Sequence, residues 1–98
     1  RRNSRYRSIM NPYQDHTIDN AVVREFTADT DPMSLIWHED QEDRIVEVLT
    51  GNGWRFQFDE DIPFELVTGD RVDIPKGFLH RVIKGKGNLK VKITKYNL

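Results

Sequence analysis

Cysteine is absent from this sequence, which excludes a disulfide framework, a thiolate metal site and a cysteine nucleophile. Any metal must be held by histidine and carboxylate, and the chain has only three histidines. Long apolar runs are missing as well: none approaches the roughly 18 residues that a membrane-crossing helix requires. A soluble, cytoplasmic protein with no membrane partner is therefore expected. Nor is there an excess of positive charge, the formal net charge being −1. Arg1, Arg2, Arg5 and Arg7 make the N-terminal end basic. Binding to nucleic acid nevertheless draws on broad neutralisation of phosphates, so nucleic acid is not the expected partner. No stretch sustains a helical period of 3.6 residues.

Short apolar or alternating runs are present instead, each closed by a turn signal. With 98 residues the chain has room for one domain. Residues 1–20 show little periodicity and read as an N-terminal arm; residues 21–98 read as an all-β domain. The expected strands are Ala21–Phe26, Leu35–Asp40, Arg44–Thr50, Trp54–Asp59, Phe64–Val67, Arg71–Ile74, His80–Ile83 and Leu89–Tyr96. So many short strands imply a sandwich or a barrel. Gly51-Asn52-Gly53 carries residues that tolerate positive φ and predicts a tight hairpin.

Alternation assigns faces. Within Leu35–Asp40, Ile36, His38 and Asp40 share one side. Trp54, Phe56 and Phe58 share a face opposite Arg55 and Gln57, and Leu89, Val91 and Ile93 face a core while Lys90 and Lys92 face away. The aromatic residues read as core or interface residues. His16 has no partner pattern and is expected on the surface.

From Gly69 the chain reads Gly, five residues, Pro75, one residue, Gly77, two residues, His80. This resembles the second motif of the cupin superfamily, in which a Pro/Gly turn returns a strand whose histidine points into a barrel. The family's final Asn is replaced by Lys84. The first cupin motif can be laid on His38, Asp40, Arg44 and Gly51, with Asp40 where the family has its second His and Arg44 where it has Glu. The run Trp37, His38, Asp40, Glu42, Asp43, Arg44 is similar to one found in small stand-alone cupins. The resemblance covers about residues 34–96 and implies a single jelly-roll barrel, a double-stranded β-helix, with the N-terminal arm outside it. It also implies a homodimer.

Two imidazoles and one carboxylate can occupy one face of an octahedral ion and leave positions open. His38, Asp40 and His80 satisfy that count for iron, manganese, nickel or zinc. The spacing also resembles the ligand set of the iron- and 2-oxoglutarate-dependent oxygenases, for whose co-substrate Arg81 and Lys90 are the basic candidates by exclusion. Arg44 introduces an alternative: paired with Asp40, its permanent charge would leave a metal-free pocket for an anionic or polar ligand. Two functions therefore stay open. One is a metal-dependent oxygenase or isomerase acting on a small polar or anionic substrate, with Arg44 and Gln57 as substrate contacts. The other is a metal-free module for ligand binding or dimerisation. A mouth of converging polar groups favours the first, and a barrel plugged by Trp or Phe favours the second.

Overall fold

The computed structural model describes residues 12–18 and 21–96; the basic residues Arg1, Arg2, Arg5 and Arg7 lie outside the described residues. Eight strands are present among them: β1 (Gln14–Ile18), β2 (Ala21–Phe26), β3 (Asp43–Thr50), β4 (Arg55–Phe58), β5 (Phe64–Glu65), β6 (Arg71–Ile74), β7 (His80–Ile83) and β8 (Leu89–Tyr96). They form two antiparallel sheets, one of five strands in the order β1-β2-β8-β3-β6 and one of three in the order β5-β4-β7. This is the all-β jelly-roll architecture expected. No helix of the described residues is long and apolar enough to cross a membrane.

The core follows from the alternation. Val46 and Val48 of β3, Val72 and Ile74 of β6, and Leu89, Val91 and Ile93 of β8 turn inward from the larger sheet to meet Trp54, Phe56 and Leu66. Trp54 is completely buried. Its indole Nε1–H donates to the Gly87 carbonyl at 2.8 Å, so an aromatic ring that fills the core also ties down the turn before β8. Replacing Trp54 with phenylalanine keeps most of the apolar volume but strands that carbonyl. A loss of about 1–3 kcal/mol is expected, read as a lower midpoint in urea denaturation at unchanged slope.

Three local expectations are corrected. Gln14–Ile18, read as part of the arm, is an edge strand paired with β2 from Gln14↔Glu25 to Ile18↔Ala21. Arg24 anchors it with a two-pronged contact to Asp15 at 2.9 and 3.1 Å while its guanidinium lies 3.7 Å over the Tyr13 ring. Gly51–Gly53 does not close a hairpin: β3 and β4 belong to different sheets, and the segment is the corner between them. The ladder of β3 against β8 already shifts register between Val48 and Thr50. Beyond it Asn52 accepts from the Lys86 backbone N–H at 3.0 Å, so the glycine-rich turn packs on the β7–β8 turn rather than folding back on its own strand.

Leu35–Asp40 is not a continuous strand. Asp31 caps a short 3-10 turn over Pro32–Ser34, and among the described residues the chain after it joins a sheet only through the single bridge of His38 to His80. The edge of β7 is its strand neighbour there, and the next ladder starts at Asp43.

Candidate metal centre

The Pro/Gly turn that precedes β7 holds the centre together. Gly77 has φ +81, a left-handed conformation in which a side chain is strained. In that conformation its N–H donates to the Asp40 carbonyl at 3.0 Å. One residue earlier, the Lys76 N–H donates to Asp43 Oδ1 at 2.7 Å. The turn is thereby fastened to the loop that carries Asp40. Three residues on, His80 exchanges both backbone hydrogen bonds with His38, at 3.0 and 2.9 Å. Residues opposed in an antiparallel pair project to the same face, and the two imidazoles meet edge to face with centroids 4.3 Å apart.

His38, Asp40 and His80 each offer a donor atom, and these atoms lie within 4.8 Å of one another. Asp40 and His80 are buried, whereas His38 is exposed at the rim. The His80 ring stacks on Phe56 at 5.4 Å and 15°, which fixes its plane.

Hydrogen bonding fixes the tautomers. Nδ1 of His80 lies 2.8 Å from the Phe78 carbonyl, and Nδ1 of His38 lies 3.2 Å from the Ile36 carbonyl. A carbonyl only accepts, so each Nδ1 carries a proton and each neutral ring presents a bare Nε2 lone pair. Burial, first of all, holds the His80 imidazole below its ordinary pKa. Repulsion from His38 and Arg44 acts in the same direction; the Phe78 carbonyl and Asp40 act against it. A neutral ring is the form that ligates.

Opposite the Nε2 of His80, at 3.5 Å, stands Asp40 Oδ2. It is buried and has no hydrogen-bond partner among the described residues. Two acceptors thus face each other across a gap, an arrangement that costs free energy unless a cation or a hydrogen-bond donor lies between them. Two imidazole nitrogens and one carboxylate oxygen are also the donor set that divalent first-row ions accept. On both grounds the residues fit a metal.

Arg44 does not compete for that oxygen. Its Nη2 lies 3.3 Å from Asp40 Oδ1, while its Nε donates to Glu42 Oε2 at 2.8 Å. That hydrogen bond, more than the charge itself, draws the Glu42 carboxyl below its usual pKa. Asp40 therefore has one oxygen turned to Arg44 and the other turned to His80. The guanidinium fixes the carboxylate's rotation and leaves it able to act as a one-oxygen donor.

Behind the centre lies a cavity of about 450 Å³, lined at its polar end by His38, Asp40, Arg44 and His80. Trp54 and Phe56 are buried but do not plug it.

Neither a family model nor a curated protein sequence matches the chain. Solved structures do. KdgF from Halomonas sp. superposes with a TM-score of 0.69 at 14% identity, over 91% of this chain and 84% of that one. HppE in its Fe(II) form gives 0.66 at 15% identity, over 86% of this chain and 48% of that one. The DMSP lyase DddQ from Ruegeria pomeroyi DSS-3 gives 0.64 at 19% identity, over 79% of this chain and 37% of that one. The chain has the cupin fold. It spans less than half the length of the lyase and HppE chains.

Within this cupin barrel the other expected contacts fall elsewhere. Gln57 is not among the cavity-lining residues. It alternates with the inward Phe56 and Phe58, and it is occupied by Arg81 Nε, which donates to its Oε1 at 2.9 Å, and by the Asp61 carbonyl, which accepts from its Nε2 at 2.9 Å. Arg81 itself lies 4.6 Å over the Trp37 ring, and neither Arg81 nor Lys90 lines the cavity. Arg24, not singled out from the sequence, does line it. The signal was present: Arg24 shares its face of β2 with the buried Phe26.

Proposed function

We propose that this cupin is a metal-dependent enzyme, an oxygenase or isomerase acting on a small substrate, in which His38, Asp40 and His80 hold a divalent ion. The partnerless, buried Oδ2 of Asp40 facing a bare imidazole nitrogen carries this reading. The Fe(II) form of HppE, which shares the fold, supports it as well. A divalent ion bound there would supply Lewis acidity or, if iron, redox chemistry, with coordination positions left open. The chain's own contribution is to hold three donors in fixed rotamers: the backbone exchange of His38 with His80, the Phe56 stack and the Arg44 contact each remove a degree of freedom.

The test is elemental analysis after reconstitution with iron(II), manganese, nickel or zinc and desalting. Wild type is expected to retain about one ion per chain, with its affinity set by all three donors; His80→Ala is expected to retain almost none. Equally little metal in both proteins would falsify the proposal. In that event the metal-free ligand receptor, favoured by the Arg44–Asp40 contact at 3.3 Å, takes its place.

A further inference from the structure

The chemistry of the cavity wall restricts what can enter it. Apart from the four polar residues of the centre and from Tyr13, Arg24 and Ser34, the lining is apolar: Val46, Leu66, Ile74, Leu89, Val91 and Ile93 form an aliphatic wall, and all six are buried in the structure. At about 450 Å³ it falls within the range of small-molecule pockets, roughly 300–1,000 Å³. A sugar-like molecule with hydroxyls all round would lose its water against these side chains and gain no hydrogen bonds in exchange. The polar end is different in charge. Asp40 and Glu42 each bring one negative charge and Arg44 one positive, while Arg24 is neutralised by Asp15. A divalent ion on the triad would leave one net positive charge beside the open coordination positions.

We infer that the cavity takes a small amphipathic monoanion, with its charged head at the His38–Asp40–His80 centre and an unbranched or branched hydrocarbon body against the aliphatic wall. The head rests on the metal reading above; the body does not. This narrows the expectation of a polar substrate: the charge of the ligand is confined to one end.

Isothermal titration with two homologous series, sodium n-alkanoates and 1-alkanols from four to ten carbons, tests both parts on zinc-loaded and on metal-free protein. Affinity is expected to rise about fourfold per methylene in every arm, up to a plateau where the cavity is full. Alkanoates are expected to exceed alkanols of equal length only in the loaded protein. A Val91→Leu exchange, which thickens the wall by one carbon, moves the plateau to shorter chains. Affinity independent of chain length in all arms overturns the apolar body. Equal binding of alkanoates and alkanols to the loaded protein overturns the anionic head. Failure of zinc to stay bound overturns the metal reading and the head together, and the methylene slope on metal-free protein still decides the body.

Discussion

An alanine at position 85 is expected to destabilise the protein by about 3 kcal/mol or more, at or beyond the upper end of ordinary overpacking. Gly85 follows β7, in the turn that leads to β8, and the corner of residues 51–53 packs on that turn. A Cβ at Gly85 would sit against the backbone nitrogen of Trp54, the carbonyl oxygen of Asn52 and the carbonyl carbon of Gly53, far inside van der Waals distance. All three are main-chain atoms, which no rotamer change can remove. Relief requires the corner to move, and with it Trp54, whose indole fills the core and bonds Gly87. In a domain of this size the corresponding fall in melting temperature is about 12 °C or more. Gly87→Ala is the control: its Cβ would meet Asn52 Cβ at 3.3 Å, a contact that a shift of a few tenths of an ångström relieves, so a change of at most about 1 kcal/mol is expected. If Gly85→Ala melts within about 2 °C of wild type, the corner is softer than its contacts imply.

That corner also shows where sequence patterns stop being informative. Four of the strands read from alternation, Ala21–Phe26, Arg71–Ile74, His80–Ile83 and Leu89–Tyr96, coincide with β2, β6, β7 and β8 residue for residue. Inward and outward positions of a strand are local facts, written at period two. Which sheet a strand joins is not local. Gly51-Asn52-Gly53 has the composition of a hairpin turn, yet its backbone is satisfied by Lys86, more than thirty residues away. The same limit explains Leu35–Asp40: its alternation is real, since His38 and Asp40 do reach one cavity, but too little of a neighbouring strand is available to make it a strand.

At the centre, His80 was the most legible residue because its placement depends on a short run, Pro75 to His80, whose Gly77 conformation is fixed by its own φ. Arg44 is legible in the sequence as a cation near Asp40, where it reads as a rival to the metal. A carboxylate has two oxygens, and only the folded structure shows that Arg44 takes Oδ1 while Oδ2 faces His80. The cavity was least legible of all. Alternation says which side chains turn inward, whereas the volume left between them depends on how far apart the two sheets stand. A list of inward residues does not contain that distance.

Asp40→Asn is expected to move metal affinity and metal-free stability in opposite directions. Asparagine has the shape of aspartate, and its Oδ1 can keep the position 3.3 Å from Arg44. In place of the partnerless Oδ2 it puts an amide N–H₂ opposite the bare Nε2 of His80, converting two facing acceptors into a donor and an acceptor. A buried acceptor without a partner costs about 1–3 kcal/mol. Against this gain stands the lost charge pairing with Arg44. Removing one partner of a buried pair is costly when it leaves the other charge uncompensated; here Arg44 keeps its 2.8 Å bond to Glu42, and the 3.3 Å contact passes to the asparagine oxygen, so the loss is the smaller effect. The metal-free variant should therefore be more stable by about 1 kcal/mol, which raises the melting temperature by about 4–8 °C. Metal affinity should fall by more than about 100-fold, since loss of a mere outer-shell partner already costs about 10–100-fold and here a donor itself loses its charge. Differential scanning calorimetry of the metal-free proteins and competition with a zinc-binding dye give the two readouts. A purely structural role for Asp40 predicts a lower melting temperature and unchanged zinc binding, and that pair of results would overturn the assignment of Asp40 as a ligand. The opposite signs identify a residue kept at a cost to the empty fold because the occupied one needs it.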